Sequence, residues 1–173
     1  MRKANLFVRR LSARDTRGWL QLGTLGWPCA LGRGGIRGLK REGDGATPRG
    51  SHRVAGVYYR PDKFRRLPSS LPLIAMRPDL GWCDTPGDAN YNREVRHPYP
   101  AGAERLWRSD DLYDAVVVLN YNVRPRIKGR GSAIFLHIAR PGFAPTEGCV
   151  ALRKRDLRIL LSRVRRGTSL IIA

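Results

Sequence analysis

The chain has three cysteines and three histidines, and one of each falls in a single stretch, GSAIFLHIARPGFAPTEGCVAL, residues 131–152. A cysteine attacks a carbonyl as its thiolate, so it needs a base to take its proton and donors to hold the oxyanion that forms. Cys149 follows Gly148, whose missing side chain lets a substrate carbonyl approach the backbone. His137 is the nearby base, and backbone N–H groups at a strand-to-helix turn are ready oxyanion donors. The same residues have a second reading. A free cysteine is commonly a small buried hydrophobe, and His137 is then a strand histidine bonded to a backbone carbonyl. Spacing leaves both open. His52 follows a turn and is expected to be exposed, whereas His97 precedes Pro98 in an irregular segment and is a candidate for substrate contact. Cys29, Cys83 and Cys149 show no C-x-x-C and no Cys/His pair at zinc spacing, so no structural metal is expected.

Strands and one helix must position these residues. Ala4–Arg10, Trp19–Leu22 and Trp27–Leu31 read as strands, with Gly23 and Gly26 as turns. REGDGATPRG, residues 41–50, is dense in Gly, Asp and Pro and reads as a loop. Ser51–Tyr59 and Leu73–Met76 are strands flanking an irregular, Pro-punctuated segment. Ala115–Leu119 is a five-residue apolar run, the pattern of a strand buried on both faces. In the next strand Ile134, Leu136 and Ile138 alternate onto one face, and Ala133, Phe135 and His137 share the other. Leu157, Leu160, Leu161 and Val164 form one helical stripe, with Arg155, Arg158, Arg163 and Arg165 off it and Gly167 as the stop. Thr168–Ile172 returns as a strand. Asp79–Tyr99 mixes aromatics, acids and amides with no period, which suits a functional loop. Its part Gly81–His97 is expected to form a wall or lid over Cys149. Trp82, Asp84, Asn90, Tyr91, Asn92, Arg93 and His97 are its candidate pocket residues, joined by Tyr121 and Asn122.

With 173 residues, no repeat and no linker, the chain reads as one domain over residues 1–173. Lys and Arg number 33 against 14 Asp and Glu, a formal charge of +19, which implies anionic surroundings: nucleic acid, acidic lipid or an acidic cell-wall polymer. No RRM, KH or helix-turn-helix pattern accompanies the charge, so a nucleic-acid-binding module has charge as its only support and no nucleic acid is expected. The start, MRKANLFVRRLSARD, lacks the apolar stretch of a secretory signal, and no run approaches transmembrane length.

The stretch 131–152 resembles the active-site segment of the L,D-transpeptidase family, the YkuD-like peptidoglycan enzymes. Members carry a strand-borne His, then Ser/Thr-His-Gly-Cys before a short helix. Thr146, Gly148 and Cys149 match, His137 matches the upstream base, and GDGATPRGSH at residues 43–52 resembles the family's Gly/Asp/Thr-Pro-x-Gly loop. Glu147 stands where the family has His, Ala151 stands where it has Arg or Asn, and the His-to-Cys gap is shorter. Those positions shape the substrate pocket in the family, so their loss bears on donor and acceptor preference more than on nucleophilic chemistry. The resemblance runs from about Asn5 to the C-terminus, with residues 60–105 matching mainly a small-protein branch.

What the resemblance implies is a mostly β (α+β) fold, a bent β-sandwich with one helix after the catalytic Cys. It implies Cys149 as nucleophile, His137 as base and the amides around Gly148 as oxyanion donors. The substrate would be a peptidoglycan stem peptide, whose carboxylates would meet Arg93, Arg124 or Arg140 and whose acceptor amine would meet Asp84, with Thr146 beside them. No cofactor is implied. The location implied is the periplasm or cell envelope. Acylation after the first-position L-Ala, giving 1→3 cross-links, is narrowly favoured over acylation at the third-position diaminopimelate, giving 3→3 cross-links. Water as acceptor would make the same pair a peptidase. Carbapenems acylate the family's Cys, so an adduct at Cys149 is expected.

Overall fold

A computed structural model describes residues 5–173; Ala4, where the first expected strand begins, lies outside the described residues. Alternating burial builds the first three strands, β1 (Leu6–Arg10), β2 (Arg17–Leu22) and β3 (Leu25–Ala30), which pair antiparallel as a meander. Leu6, Val8, Leu20 and Leu22 point inward. Gly23, at φ +59, makes the hairpin turn, as expected. Gly26 does not turn. It lies within β3 under the Trp19 indole, where a Cβ would come within 2.3 Å of Nε1.

The short β4 (Ile36–Arg37) and β5 (Thr47–Pro48) pair with each other and bracket the Gly/Asp loop. The ten-residue β6 (Gly50–Tyr59) follows, and β7 (Leu73–Ala75) lies beside its end. The expected irregular loop over Asp79–Tyr99 is instead largely a hairpin, β8 (Leu80–Cys83) with β9 (Glu94–Arg96). Together with β10 (Ala103–Arg105) it forms a three-stranded sheet. Strands this short carry too few residues for period two to show, and β8 is buried throughout.

The remaining elements are β11 (Ala115–Leu119), β12 (Phe135–Ile138), β13 (Val150–Leu152), the helix α1 (Lys154–Arg163) and β14 (Ser169–Ile172). The main sheet has nine strands in the order β11-β12-β13-β3-β2-β1-β14-β6-β7, and β6 also pairs with β11. Gly50–Arg53 of β6 pair with β14 and Val54–Tyr59 with β11, so one long strand serves both halves of a bent sheet. The fold is thus mostly strands with one α-helix, as the sequence implied.

Inside this bend α1 presents Leu157, Leu160 and Leu161 to Leu6, Leu20, Leu136, Leu152 and Leu170. Full burial of a leucine side chain is worth about 1.5–3 kcal/mol, so this cluster dominates the fold. The helix leaves its path at Val164, and Gly167, at φ +82, sits in the later turn into β14 rather than at the helix stop. On the other face of β11 and β12 a second cluster joins Val116, Val118, Phe135 and Cys149 to Trp82 and Leu106 of the small-sheet region. β11 and β12 are therefore covered on both sides, which explains the unbroken apolar run of β11.

Candidate active site

β12 and β13 run parallel, with Leu136 opposite Val150 and His137 opposite Ala151. Cys149 thus enters its strand beside Phe135, whose N–H points at Sγ from 3.4 Å. Alternation then places Phe135, His137 and Cys149 on one face, away from the helix-filled core. The segment connecting Cys149 to α1 is not a bare turn, as the sequence suggested, but includes the three-residue strand β13.

The turn bearing Cys149 is braced on every side. The Thr146 hydroxyl donates to the Cys149 carbonyl at 2.6 Å and accepts from the Gly148 N–H at 3.2 Å. Gly32 pairs with Thr146, and the Gly32 N–H donates to Thr47 Oγ1 at 2.8 Å, which ties the Gly/Asp loop to this turn. Gly148 takes φ +131, and a Cβ there would lie 2.7 Å from the Ala46 carbonyl oxygen. Glycine is required at this position twice over, by conformation and by space.

Cys149 is 7% exposed, and its thiol donates to the Ala133 carbonyl at 3.2 Å. Burial pushes the thiol up to about 12, and the charges of Glu104 and Glu147 act in the same direction. The Phe135 N–H and the Lys40 ammonium act against them. His137 is 3% exposed, with Nδ1 at 2.8 Å from the Ile138 carbonyl. A carbonyl partner makes Nδ1 the donor and leaves the lone pair on Nε2. Burial drops the imidazole to about 4, helped by Arg140 and Arg108. The Tyr113 ring meets the imidazole edge-on at 5.1 Å.

Cys149 and His137 line one cavity of about 380 Å³. Of the residues expected in the pocket, Asp84, Arg140 and Thr146 line it too. The others do not. Trp82 is buried against Phe135, edge-on at 5.2 Å. Its indole N–H donates to Asn92 Oδ1 at 2.9 Å, and the Ala133 N–H donates to the same oxygen at 3.1 Å. Asn92 Nδ2 donates to the carbonyls of Tyr121 and Asn122 at 3.1 and 2.8 Å. Asn92 is therefore a buried junction behind the cysteine and not a substrate contact. Tyr91 is also buried, its hydroxyl donating to Glu42 and accepting from the Gly131 N–H. Asn90 bonds Tyr99 across its turn. The Tyr121 hydroxyl and the Asn122 amide are spent on the backbone of the loop at residues 127–131. Arg93 and Arg124 are exposed and off the cavity. His97 packs on Gly81 in the small sheet, and His52, expected to be exposed, is buried against Tyr121 with Nε2 at 3.2 Å from the Pro48 carbonyl. All three cysteines are free.

Sequence reasoning missed Glu42, Glu104, Arg108, Tyr113 and Ser132, which also line the cavity. Tyr113 donates to Glu104 at 2.6 Å, and burial raises the Glu104 carboxyl. Asp84 is raised by burial and by the nearby charge of Glu42. Arg108 is engaged by Asp110 at 2.7 Å. Glu147, in the family's histidine position, turns outward to Arg33 at 2.8 Å, an exposed pair worth little. The cavity thus has an acidic wall of Glu42, Asp84 and Glu104, none of them in an ion pair among the described residues, facing a rim of arginines. No group of three or more His, Cys, Asp or Glu among the described residues is arranged to hold a metal ion.

The YkuD family model, the L,D-transpeptidase catalytic domain, matches residues 11–172. No curated protein matches the chain. Among solved structures the chain is similar to that of Bdellovibrio bacteriovorus Bd1075, at 14% identity and a TM-score of 0.50, over 99% of this chain and 48% of that one. It is also similar to an L,D-transpeptidase from Mycobacterium smegmatis, at 14% identity and a TM-score of 0.45, over 98% of this chain and 59% of that one. The chain spans about half the length of the first, and at such identity the likeness concerns the fold alone. With nearly all of its length matched by the family model, the chain belongs to the YkuD family of L,D-transpeptidase catalytic domains.

Proposed function

We propose that the chain is a cysteine acyltransferase acting on peptidoglycan stem peptides. The YkuD family acts on peptidoglycan and is usually found at the cell envelope. The observation that carries the reading is that Cys149 and His137 share one sheet face and line one cavity, with carboxylates and arginines around them.

Burial pushes the thiol well above its usual range, so at pH 7 it is held as the neutral thiol. The resting pair is therefore neutral thiol and neutral imidazole, and the proton moves as the attack proceeds. His137 Nε2 takes the thiol proton while Sγ bonds to the stem-peptide carbonyl carbon. The oxyanion is held by the Cys149 N–H, because the Gly148 N–H is already turned onto Thr146. An imidazole held well below its usual range is a strong acid once protonated. It gives that proton to the departing amine as the C–N bond breaks, leaving a thioester on Cys149. An incoming neutral amine then attacks the thioester carbonyl and gives a proton to His137, and the imidazolium returns that proton to the sulfur as the C–S bond breaks.

The acidic wall suits the second half of this cycle. Glu42, Asp84 and Glu104 form no ion pair among the described residues, so an ammonium group of the acceptor would supply one. Arg140 and Arg108 suit the substrate's carboxylates. Glu147 and Ala151, in place of the family's usual residues, support acylation after the first-position L-Ala and 1→3 cross-links over the 3→3 type. Muropeptide mass spectrometry after incubation with peptidoglycan tests this: cross-links that join position one to position three are expected. Absence of any new cross-link, or products of hydrolysis only, would overturn the transferase reading.

A further inference from the structure

Lys40 is 3% exposed in a protein that carries most of its cations on the surface. A buried ammonium is costly unless it is paired, and the Asp44 carboxylate pairs it at 2.7 Å. Asp44 is itself fixed by the N–H groups of Arg41 and Ala46, each at 2.8 Å. The pair stands in the Gly/Asp loop, immediately behind the cysteine turn. A Cβ built on Gly148 would lie 3.3 Å from Lys40 Nζ, and one built on Gly131 would lie 2.7 Å from Lys40 Cε. Both glycines have positive φ, +131 and +99. Two bends of the chain, one of them directly before Cys149, therefore leave the space that the lysine fills. Lys40 does not line the cavity, so it reaches a bound substrate only through the Gly148–Cys149 backbone.

The charges around the thiol explain what such a cation does. Glu104 from β10 and Glu147 from the turn itself oppose a thiolate, and Tyr113 and His137 are neutral neighbours. Glu42 and Asp84 add negative charge across the cavity, while Arg108 is engaged by Asp110 and Arg140 lies on the exposed rim. Lys40 favours the ionised form of Cys149, against Glu104 and Glu147.

We propose that Lys40, seated against Gly148 and held by Asp44, is a positioning residue whose fixed ammonium supplies the positive charge needed by the Cys149 thiolate and by the oxyanion formed on its acylation. The inference rests on the reading of Cys149 as nucleophile. The double variant Lys40→Met/Asp44→Asn replaces the ion pair by a neutral pair of similar volume. Lys40→Met alone leaves the Asp44 charge unopposed.

The test uses the full chain with ¹³C-labelled cysteine, following the Cys149 Cβ resonance against pH, with Cys149→Ala to assign it. An opposite charge a few ångströms away moves a titration by about 1–3 units. The expected result is a titration that sets in at higher pH in Lys40→Met/Asp44→Asn than in the wild type, and at higher pH again in Lys40→Met. Iodoacetamide alkylation of Cys149 at pH 8 is expected to slow about tenfold in the double variant, following the titration. An unmoved titration in a folded double variant would overturn the proposal, and so would a reversed order of the two variants. Neither readout needs peptidoglycan. If the shifts appear and the wild type forms no cross-link, the proposed function fails while the role of Lys40 in thiolate formation stands.

Discussion

Replacing Gly148 by alanine should damage the protein far more than replacing Gly142, although the two glycines lie six positions apart on the same connection. Both have positive φ, +131 and +69. Holding a non-glycine residue there costs about 1–3 kcal/mol. At Gly142 that is the whole cost, because nothing lies within 4 Å of the new Cβ. At Gly148 the Cβ would be 2.7 Å from the Ala46 carbonyl oxygen and 3.3 Å from both Ile134 Cδ1 and Lys40 Nζ. A backbone oxygen cannot swing aside, so either the Gly/Asp loop or the cysteine turn must move. With overpacking at about 1–3 kcal/mol, the total is about 2–6 kcal/mol. In a chain of this size each kcal/mol lowers Tm by roughly 2–4 °C. Gly148→Ala should therefore melt roughly 4–24 °C below the wild type, and Gly142→Ala roughly 2–12 °C below it. Displacing the thiol by about 1 Å should also cost about 100-fold in turnover. Thermal melts and muropeptide turnover of the two variants, measured side by side, check both parts. Equal melting temperatures and equal turnover would refute the steric reasoning and the braced geometry of the cysteine turn.

Asn92→Ala leaves the Trp82 indole N–H and the Ala133 N–H without their acceptor, at about 1–3 kcal/mol each; melting temperature and turnover should fall together, whereas a lost substrate contact would spare the melt. Asp84→Ala should lower use of the acceptor amine with little change in melting, since it lines the cavity without an ion pair, and Arg93→Ala, off the cavity, should change neither. His137→Gln should lower turnover about 100-fold or more, and equal activity would remove His137 as the base. The same variant tests its buried neutral state. The folded imidazole lies at about 4 against an ordinary 6.5, so the unfolded chain takes up this proton first as pH falls. The stability tied to neutral His137 is then whole above pH 6.5 and is lost between 6.5 and 4, by about 3 kcal/mol. Denaturant melts of wild type and His137→Gln should converge by that amount over this window, and a constant gap would contradict it.

The pattern of residues 133–138 made one sheet face legible, because Ile134, Leu136 and Ile138 meet the helix-filled core while Phe135 and His137 meet the second cluster. The leucine stripe of α1 was legible for the same reason: a single long element carries its own period. The acidic wall was not. Glu104 reaches the cavity through the pairing of β10 with β8, and Glu42 through the loop behind Cys149. Neither has a local pattern that marks it. Trp82, Tyr91 and Asn92 misled in the opposite direction. Polar and aromatic residues without a period resemble a substrate surface, yet Asn92, at φ +55, spends its amide on four partners within the protein and holds Ala133 beneath the thiol.

The central claim is that Cys149 carries the acyl group, and intact-mass spectrometry of the protein quenched in acid during incubation with peptidoglycan fragments reads it directly. The expected result is one covalent adduct, mapped to Cys149, whose mass is that of a stem fragment ending at L-Ala, and no adduct on Cys149→Ala. An adduct on Cys29 or Cys83, or one that persists in Cys149→Ala, would contradict the claim.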